Sequence, residues 1–430
     1  MPKPKKVLII CYYWPPAGGP GVQRWLKFVK YLPDFGVEPI VYVPENATYP
    51  IMDEALIEEI PNGITVIKRP IKEPYGFASL LSRKQTKSIS SGLIPTQKKQ
   101  SLVQKAMLYI RGNYFIPDAR VAWVKPSISF LERVIQEQEI DTIITSGPPH
   151  SMHLIGLGLK KKLSSLKWIA DFRDPWTTIG YHDKLKMTSK TQEKHKSLEQ
   201  EVLREASQII VTSPNTKKEF SELTKTPIQV ITNGFDVQEN DVLKLNNKFT
   251  ISHIGSLLSD RNPKILWEAL SDIVSENEAF KSAFRLSLAG RVSESVIESL
   301  KEYGLDSFVQ LEGYVSHIVA IDLQRKSNLL LLLEIDSPET RSIIPGKLFE
   351  YLAARRPILA IGPEGSDIEE IILQTESGSY HNYTQEEAIR AAILSHFEHF
   401  TNKTELLRSG DIAKYHREAL TETLSNSILQ

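Results

Sequence analysis

The 430 residues exceed what one ordinary hydrophobic core supports, so the length calls for two domains. With 41% hydrophobic and 24% charged residues the composition is that of a soluble globular protein, and 52 Lys plus Arg against 52 Asp plus Glu leave no global field that would draw nucleic acid. The single cysteine, Cys11, cannot close an internal disulfide, which fits a reducing, cytoplasmic setting, and the greasiest late run, residues 329–333, is far too short to span a bilayer.

Residues 1–6 are basic, and the apolar run 7–12 after them has no small-residue cleavage site, so it reads as a buried parallel strand and not as a signal peptide. A Pro- and Gly-rich loop, 13–21, comes next, and then Val22, Trp25, Leu26, Val29 and Leu32 recur at helical spacing. Strand, glycine loop and helix make the first half of a nucleotide-type α/β unit. Gly19-Pro20-Gly21 lacks the third glycine of the dinucleotide fingerprint, which argues against a nicotinamide cofactor and keeps a plain tight turn as the alternative. No cofactor is expected. Further strands are expected at 39–43 and 64–67. Between 82 and 114 the pattern dissolves, with Arg83, Lys84, Lys87, Lys98, Lys99, Lys105 and Arg111 and no acidic residue. That stretch reads either as a solvated insertion or as a patch for anionic lipid or a phosphorylated acceptor, which would put the protein at the inner face of a membrane.

Order returns with a strand at 140–146 that ends in Gly147-Pro148-Pro149-His150-Ser151, a helix at 152–162, and a strand at 167–170 running into Asp171-Phe172-Arg173-Asp174-Pro175-Trp176. Open parallel sheets bind ligands beyond the carboxyl ends of their strands, and the Gly18 loop, His150 and the Asp171 cluster all fall there. Neither His150 with His153 nor Asp171 with Asp174 finds a third ligand at suitable spacing, and Arg173 between the carboxylates repels a cation, so no metal is expected. An internal ion pair that ties down the Asp171 loop, and a structural role for His150, remain open alternatives. A strand at 209–212, a helix at 215–223 and a strand at 228–231 complete an N-terminal domain, 1–236. The polar, patternless residues 237–248 read as a linker.

A second domain, 249–405, starts again with a strand, 249–254, and a loop carrying Gly255, Ser256 and Arg261. Strands at 285–289, closed by Gly290-Arg291, and at 308–311, 329–333 and 357–361 alternate with helices. Between the last two strands, Pro345 suits the first helical position and Gly346 lets a ligand approach the backbone. Free N–H groups, the helix dipole and Lys347 favour an anion there, and Glu350 could accept from a ribose diol. Leu348, Phe349 and Leu352 fall on the packing side of that helix, with Lys347, Glu350, Tyr351 and Ala354 on the other. An ordinary surface pair of Lys347 and Glu350 is the plain alternative. Residues 406–430 read as a C-terminal helix with the N-terminal domain as one candidate partner. The fold class expected is α/β, two Rossmann-like αβα domains facing each other across a cleft.

Tyr12 to Arg24, Asp171 to Trp176, Asn233-Gly234-Phe235-Asp236 and Pro345 to Ala353 occur in the order seen in glycosyltransferase family 4, and the chain resembles that family outside roughly 46 to 115. The resemblance implies the GT-B fold and a retaining, metal-independent transferase using a UDP- or GDP-sugar, with a glycan or lipid-linked acceptor of the cell envelope. It implies that Gly18 and Gly19 face the donor diphosphate and that Glu350 is the second carboxylate of the family's Glu-x7-Glu motif, which holds the ribose hydroxyls; Gly255, Ser256, Arg291, Pro345 and Gly346 are the further donor-side candidates. Arg261 stands where the family usually has a lysine on the diphosphate, and Arg173 where many members have a histidine near the reacting sugar. Lys347, Asp174 and His150 join these two as candidate catalytic residues, and Arg24, Asp171 and Trp176 fall on the acceptor side. Two departures stand out. Ser342 occupies the first position of Glu-x7-Glu, and Ser256 replaces the arginine that commonly follows the glycine. A nucleotide-sugar epimerase of the same fold and a non-catalytic nucleotide-sugar-binding subunit are the rival readings.

Overall fold

The computed structural model describes residues 3–73, 102–178, 185–236, 246–404 and 410–430. The chain divides into two compact units, Met1–Thr232 together with Arg417–Gln430, and Asn233–His416.

The first unit is built on seven parallel strands, β1 (Lys5–Ile10), β2 (Val37–Pro44), β3 (Thr65–Arg69), β4 (Thr142–Gly147), β5 (Lys167–Phe172), β6 (Gln208–Val211) and β7 (Ile228–Val230), in the order β3-β2-β1-β4-β5-β6-β7. Successive side chains of a strand point to opposite faces, and the continuous apolar run of β1 supplies both. Val7 and Ile9 pack with Trp25, Leu26 and Val29 of the helix Pro20–Tyr31 and with Leu420, Leu424 and Ile428 of the final helix, Arg417–Leu429. Leu8 and Ile10 pack on the other face with Trp123 and Leu131 of the helix Val121–Glu137 and with Met152 and Ile155 of the helix Ser151–Lys162. Strand order reverses at β1 and β4, the switch point where such sheets open a crevice.

Several elements differ from the sequence reading. The patternless stretch ends in a regular helix, Leu102–Tyr114, whose Leu108 and Gly112 are buried, while Lys105, Tyr109, Ile110 and Tyr114 are exposed. Arg83, Lys84, Lys87, Lys98 and Lys99 lie outside the described residues, as do most of the expected linker, 237–245, and residues 405–409 at the expected start of the C-terminal helix. That helix runs Arg417–Leu429, and burial at i, i+4 and i+8 explains its placement in the first unit.

The second unit has six parallel strands, β8 (Phe249–Ile254), β9 (Phe284–Ala289), β10 (Val309–Gly313), β11 (Leu329–Leu333), β12 (Ile358–Ile361) and β13 (Gly378–His381), in the order β10-β9-β8-β11-β12-β13. Strand order reverses at β8 and β11. One face of this sheet packs Leu266, Trp267 and Leu270 of the helix Lys264–Glu276 with Ile389, Ile393 and Phe397 of the helix Glu386–Thr401. The other packs Leu348, Phe349 and Leu352 of the helix Gly346–Ala354.

Candidate functional site

In the second unit the switch point gathers residues that are far apart in sequence. Gly255 follows β8 at φ 123° and Gly290 follows β9 at φ 115°, a backbone region that side chains strongly disfavour. Their contacts give a second reason for glycine. A Cβ on Gly290 would sit 2.7 Å from the carbonyl of Gly255, and a Cβ on Gly255 would sit 2.9 Å from the Nζ of Lys347. The bare backbone at 255 thus makes the space that the Lys347 ammonium occupies. Backbone bonds from Gly255 to Ala289, Leu257 to Arg291 and Ser293 to Leu257 fix this loop against the end of β9.

Lys347 lies in the first turn of the helix Gly346–Ala354, with Pro345 as the residue before it. Its Nζ stands 3.3 Å from Nε2 of His253, a fully buried residue of β8. Among the described residues it has no carboxylate partner. Burial, with repulsion from Arg261, brings the ammonium down to about 7 against a smaller pull from Glu350. The Arg261 guanidinium also stands without a hydrogen-bond or ion-pair partner among the described residues. Glu350 accepts from Nε2 of Gln324 at 3.0 Å, which leaves its other oxygen open. Tyr351 differs from expectation. It is fully buried, and its hydroxyl accepts from the Ile254 N–H at 2.9 Å, so it pins the helix to the end of β8 and faces no ligand. Ser256 and Arg291 are exposed on the loop.

Glu334, just past β11, is a buried acid that sequence reading passed over as the end of an apolar run. Its Oε1 accepts from Ser366 Oγ at 2.8 Å, and its Oε2 lies 3.3 Å from Tyr380 Oη. Tyr380 has one hydroxyl proton and spends it on Pro363 O at 2.8 Å. A protonated Oε2 therefore completes the network as the donor to Tyr380, in line with burial pushing the Glu334 carboxyl up to about 8. Gly362 is required here, because its Cβ would fall 2.4 Å from Tyr380 Oη and 2.6 Å from Glu334 Oε2.

In the first unit, Asp171 is fully buried and saturated. It accepts from Arg24 Nη2 at 2.8 Å and Nε at 3.3 Å, from Trp25 Nε1 at 3.0 Å and from Ser146 Oγ at 2.8 Å. Arg24 spends a further N–H on Thr232 O at 2.9 Å. This corrects the acceptor-side expectation for both residues, since both are buried and bonded to each other; they tie the first helix to β5. Trp176 is likewise buried, with its indole donating to His195 Nδ1 at 3.0 Å, and His150 stacks on it at 4.9 Å and 3°. Both pack the loop from inside. The neighbouring His153 is held neutral, its imidazolium brought down to about 3 by burial. Gly18 packs against Ile51 and Asp53, where a Cβ would meet Ile51 at 2.9 Å, whereas a Cβ on Gly19 would meet nothing within 4 Å.

What stays open at this sheet edge is Arg173 and Asp174. Arg173 donates to Pro148 O, lies over the Tyr13 ring at 5.6 Å, and comes so close to Gly21 that a Cβ there would overlap it. Asp174 is half-buried with no hydrogen-bond partner among the described residues, and burial raises its carboxyl against the opposing Arg173 charge. Among the described residues no three His, Cys, Asp or Glu side chains gather as a metal site.

No family model matches the sequence, and no curated protein matches it. Solved structures do. The Anabaena protein HepE in complex with UDP is similar over 99% of this chain and 99% of its own, at 13% identity and a TM-score of 0.63. Sucrose-phosphate synthase from Thermosynechococcus elongatus covers 99% and 98%, at 14% identity and 0.60, and the lipopolysaccharide outer core galactosyltransferase WaaB in its apo form covers 99% and 99%, at 12% identity and 0.59. The fold is GT-B. At such identities the likeness is one of architecture. Within this GT-B chain, the residues that sequence reading missed are His253, Glu334, Gly362 and Tyr380, and Gly290 was read only as the end of a strand. Only a glycine directly after a strand carried a signal, at Gly290 and Gly362, and buried polar groups inside apolar strands carried none.

Proposed function

We propose that the chain is a glycosyltransferase that moves a sugar from a nucleotide diphosphate sugar, a UDP- or GDP-sugar, to a glycan or lipid-linked acceptor of the cell envelope, with retention and without a metal. The observation that carries this reading is a cation with no ion-pair partner among the described residues: Lys347 at a helix N-terminus, over the bare backbone of Gly255, with Arg261 near enough to repel it. Two uncompensated cations and free helix N–H groups are built for the charge that develops on a departing diphosphate. UDP in the HepE structure supports the same class of ligand. In the reaction the bond from the anomeric carbon to the diphosphate oxygen breaks and its electron pair goes to the diphosphate. The acceptor oxygen then bonds on the same face and its proton passes to a diphosphate oxygen. Glu350 takes the ribose hydroxyls, and Arg173 and Asp174 are the polar groups that the first unit offers to an acceptor.

Peripheral membrane contact belongs to the same proposal. The exposed side of the helix Leu102–Tyr114 presents Tyr109, Ile110 and Tyr114 beside Lys105, an apolar and basic face that suits an anionic lipid surface.

The test is calorimetric titration of the full chain with UDP and GDP. One of them binds, and Glu350→Ala weakens it about tenfold through lost charge-assisted ribose bonds. Absence of binding by either nucleotide refutes the reading. Turnover of a bound nucleotide sugar into its epimer, with no nucleoside diphosphate released, favours the epimerase, and binding without turnover favours the non-catalytic subunit.

A further inference from the structure

Lys347 is held by an unusual partner. His253 Nδ1 lies 3.0 Å from the Leu331 carbonyl, which can only accept, so that nitrogen carries the proton and Nε2 presents a lone pair. The lone pair faces Lys347 Nζ at 3.3 Å. Lysines withdrawn from water are usually anchored by a carboxylate that cancels their charge, and Lys347 is half-buried. Here the anchor is neutral and stays so, because burial first, and then Lys347 and Arg261, hold the imidazole well below its ordinary range, while the backbone of Leu331 and Ser256 acts in the opposite direction. The amine is fixed in direction but left without compensating charge. The charged groups acting on it are Arg261, which opposes its protonation, and Glu350 on its own helix, which favours it.

We propose that His253 is a positioning residue for a nucleoside diphosphate: its imidazole holds the Lys347 amine over the Gly255 loop, and the bound diphosphate fixes a proton on that amine, so binding is coupled to proton uptake. The inference rests on the reading of this site as the donor site. The proton comes from solvent, the neutral amine of Lys347 becomes an ammonium, and no other bond changes. The direction of the pH effect follows. A free-state ammonium near pH 7 is already charged at pH 6, so the diphosphate binds there without taking a proton. At pH 8 more of the free sites carry the neutral amine than at pH 6, so binding takes up a proton there and affinity falls as pH rises. The terminal phosphate of UDP is ionised at pH 8, and Lys347 and Arg261 beside it keep it so, which leaves Lys347 as the acceptor of the proton.

The experiment is titration of the full chain with UDP, and separately GDP, at pH 6.0 and 8.0 in buffers of different ionisation enthalpy, with thermal unfolding of each variant as a control. Wild type takes up protons at pH 8.0 and takes up none at pH 6.0, where the terminal phosphate, partly protonated in solution, gives up its proton on entering a cationic site. Lys347→Met binds at least tenfold more weakly at pH 6.0 and takes up no proton. His253→Phe binds at least tenfold more weakly with an altered pH profile, and His253→Gln, which keeps an acceptor toward the amine, recovers most of the affinity. Binding with no proton uptake at pH 8.0, or a folded His253→Phe with wild-type affinity and pH profile, overturns the inference while the donor-site reading survives. Failure of wild type to bind either nucleotide at both pH values overturns both.

Discussion

Replacing Asp171 by alanine tests the claim that the buried Arg24–Asp171 pair holds the first unit together. The substitution removes the acceptor for four donors, two from Arg24 and one each from Trp25 and Ser146. The Arg24 side chain is 1% exposed, so it is left as an uncompensated buried cation that keeps its bond to Thr232 O. Breaking one half of such a pair costs about 3–5 kcal/mol, and the orphaned indole and hydroxyl raise the total to roughly 4–6 kcal/mol once relaxation is allowed for. That is a large share of the stability of a whole domain. Five of the six tryptophans, Trp14, Trp25, Trp123, Trp168 and Trp176, lie in the first unit, so urea unfolding followed by tryptophan fluorescence reports mainly on it. The unfolding midpoint of Asp171→Ala should drop steeply. The double variant Arg24→Met with Asp171→Leu should recover most of the loss, because an apolar pair of similar volume leaves no charge stranded. An Asp171→Ala midpoint equal to wild type, or a double variant no better than the single, would refute the reasoning.

Glu334→Gln should stabilise the second unit at pH 8 and flatten its pH dependence. The native carboxyl is raised from 4.5 to about 8, so the proton it holds is bound more tightly when folded, and stability is lost as pH rises from about 4.5 to 8. Thermal unfolding of both proteins at pH 5 and pH 8 checks this, and parallel pH curves would sink it. Gly362→Ala should destabilise the same unit by roughly 1–3 kcal/mol through overpacking against Glu334 and Tyr380, measured by denaturant unfolding. The double change Lys105→Glu with Ile110→Ser should weaken sedimentation with vesicles containing phosphatidylglycerol, and unchanged sedimentation removes the membrane contact.

The strands of both sheets other than β13 were readable because buried parallel strands carry continuous apolar runs; β8 and β11 begin and end where the sequence placed them, whereas the half-buried Gly-Ser-Tyr-His of β13 carries no such run. The helices Val121–Glu137 and Ser189–Glu205 were not read, the first because Pro126 interrupts its pattern, the second because polar residues dominate it around only a few buried positions. The site was half legible. Lys347, Glu350 and the Gly255 loop announce themselves through glycine, proline and charge at strand ends. His253 hides in an apolar strand, and its role depends on a partner 94 residues away. Asp171 looked like a ligand contact because a charged cluster after a strand looks the same whether its partner is a substrate or Arg24, 147 residues earlier. Tyr351 sits on the face of its helix assigned to ligand, and only the position of β8 reveals that this face is covered.

The central claim is that Lys347 and Arg261 stabilise a departing diphosphate, and the most direct measurement is release of nucleoside diphosphate from a panel of UDP- and GDP-sugars by wild type, Lys347→Met and Arg261→Met. Wild type should release it from one donor, and loss of Arg261 should slow that release about a hundredfold, on the order of 3 kcal/mol in barrier height, as for other single donors to a developing charge. Equal rates in wild type and both variants, or no release from any donor, would contradict the account.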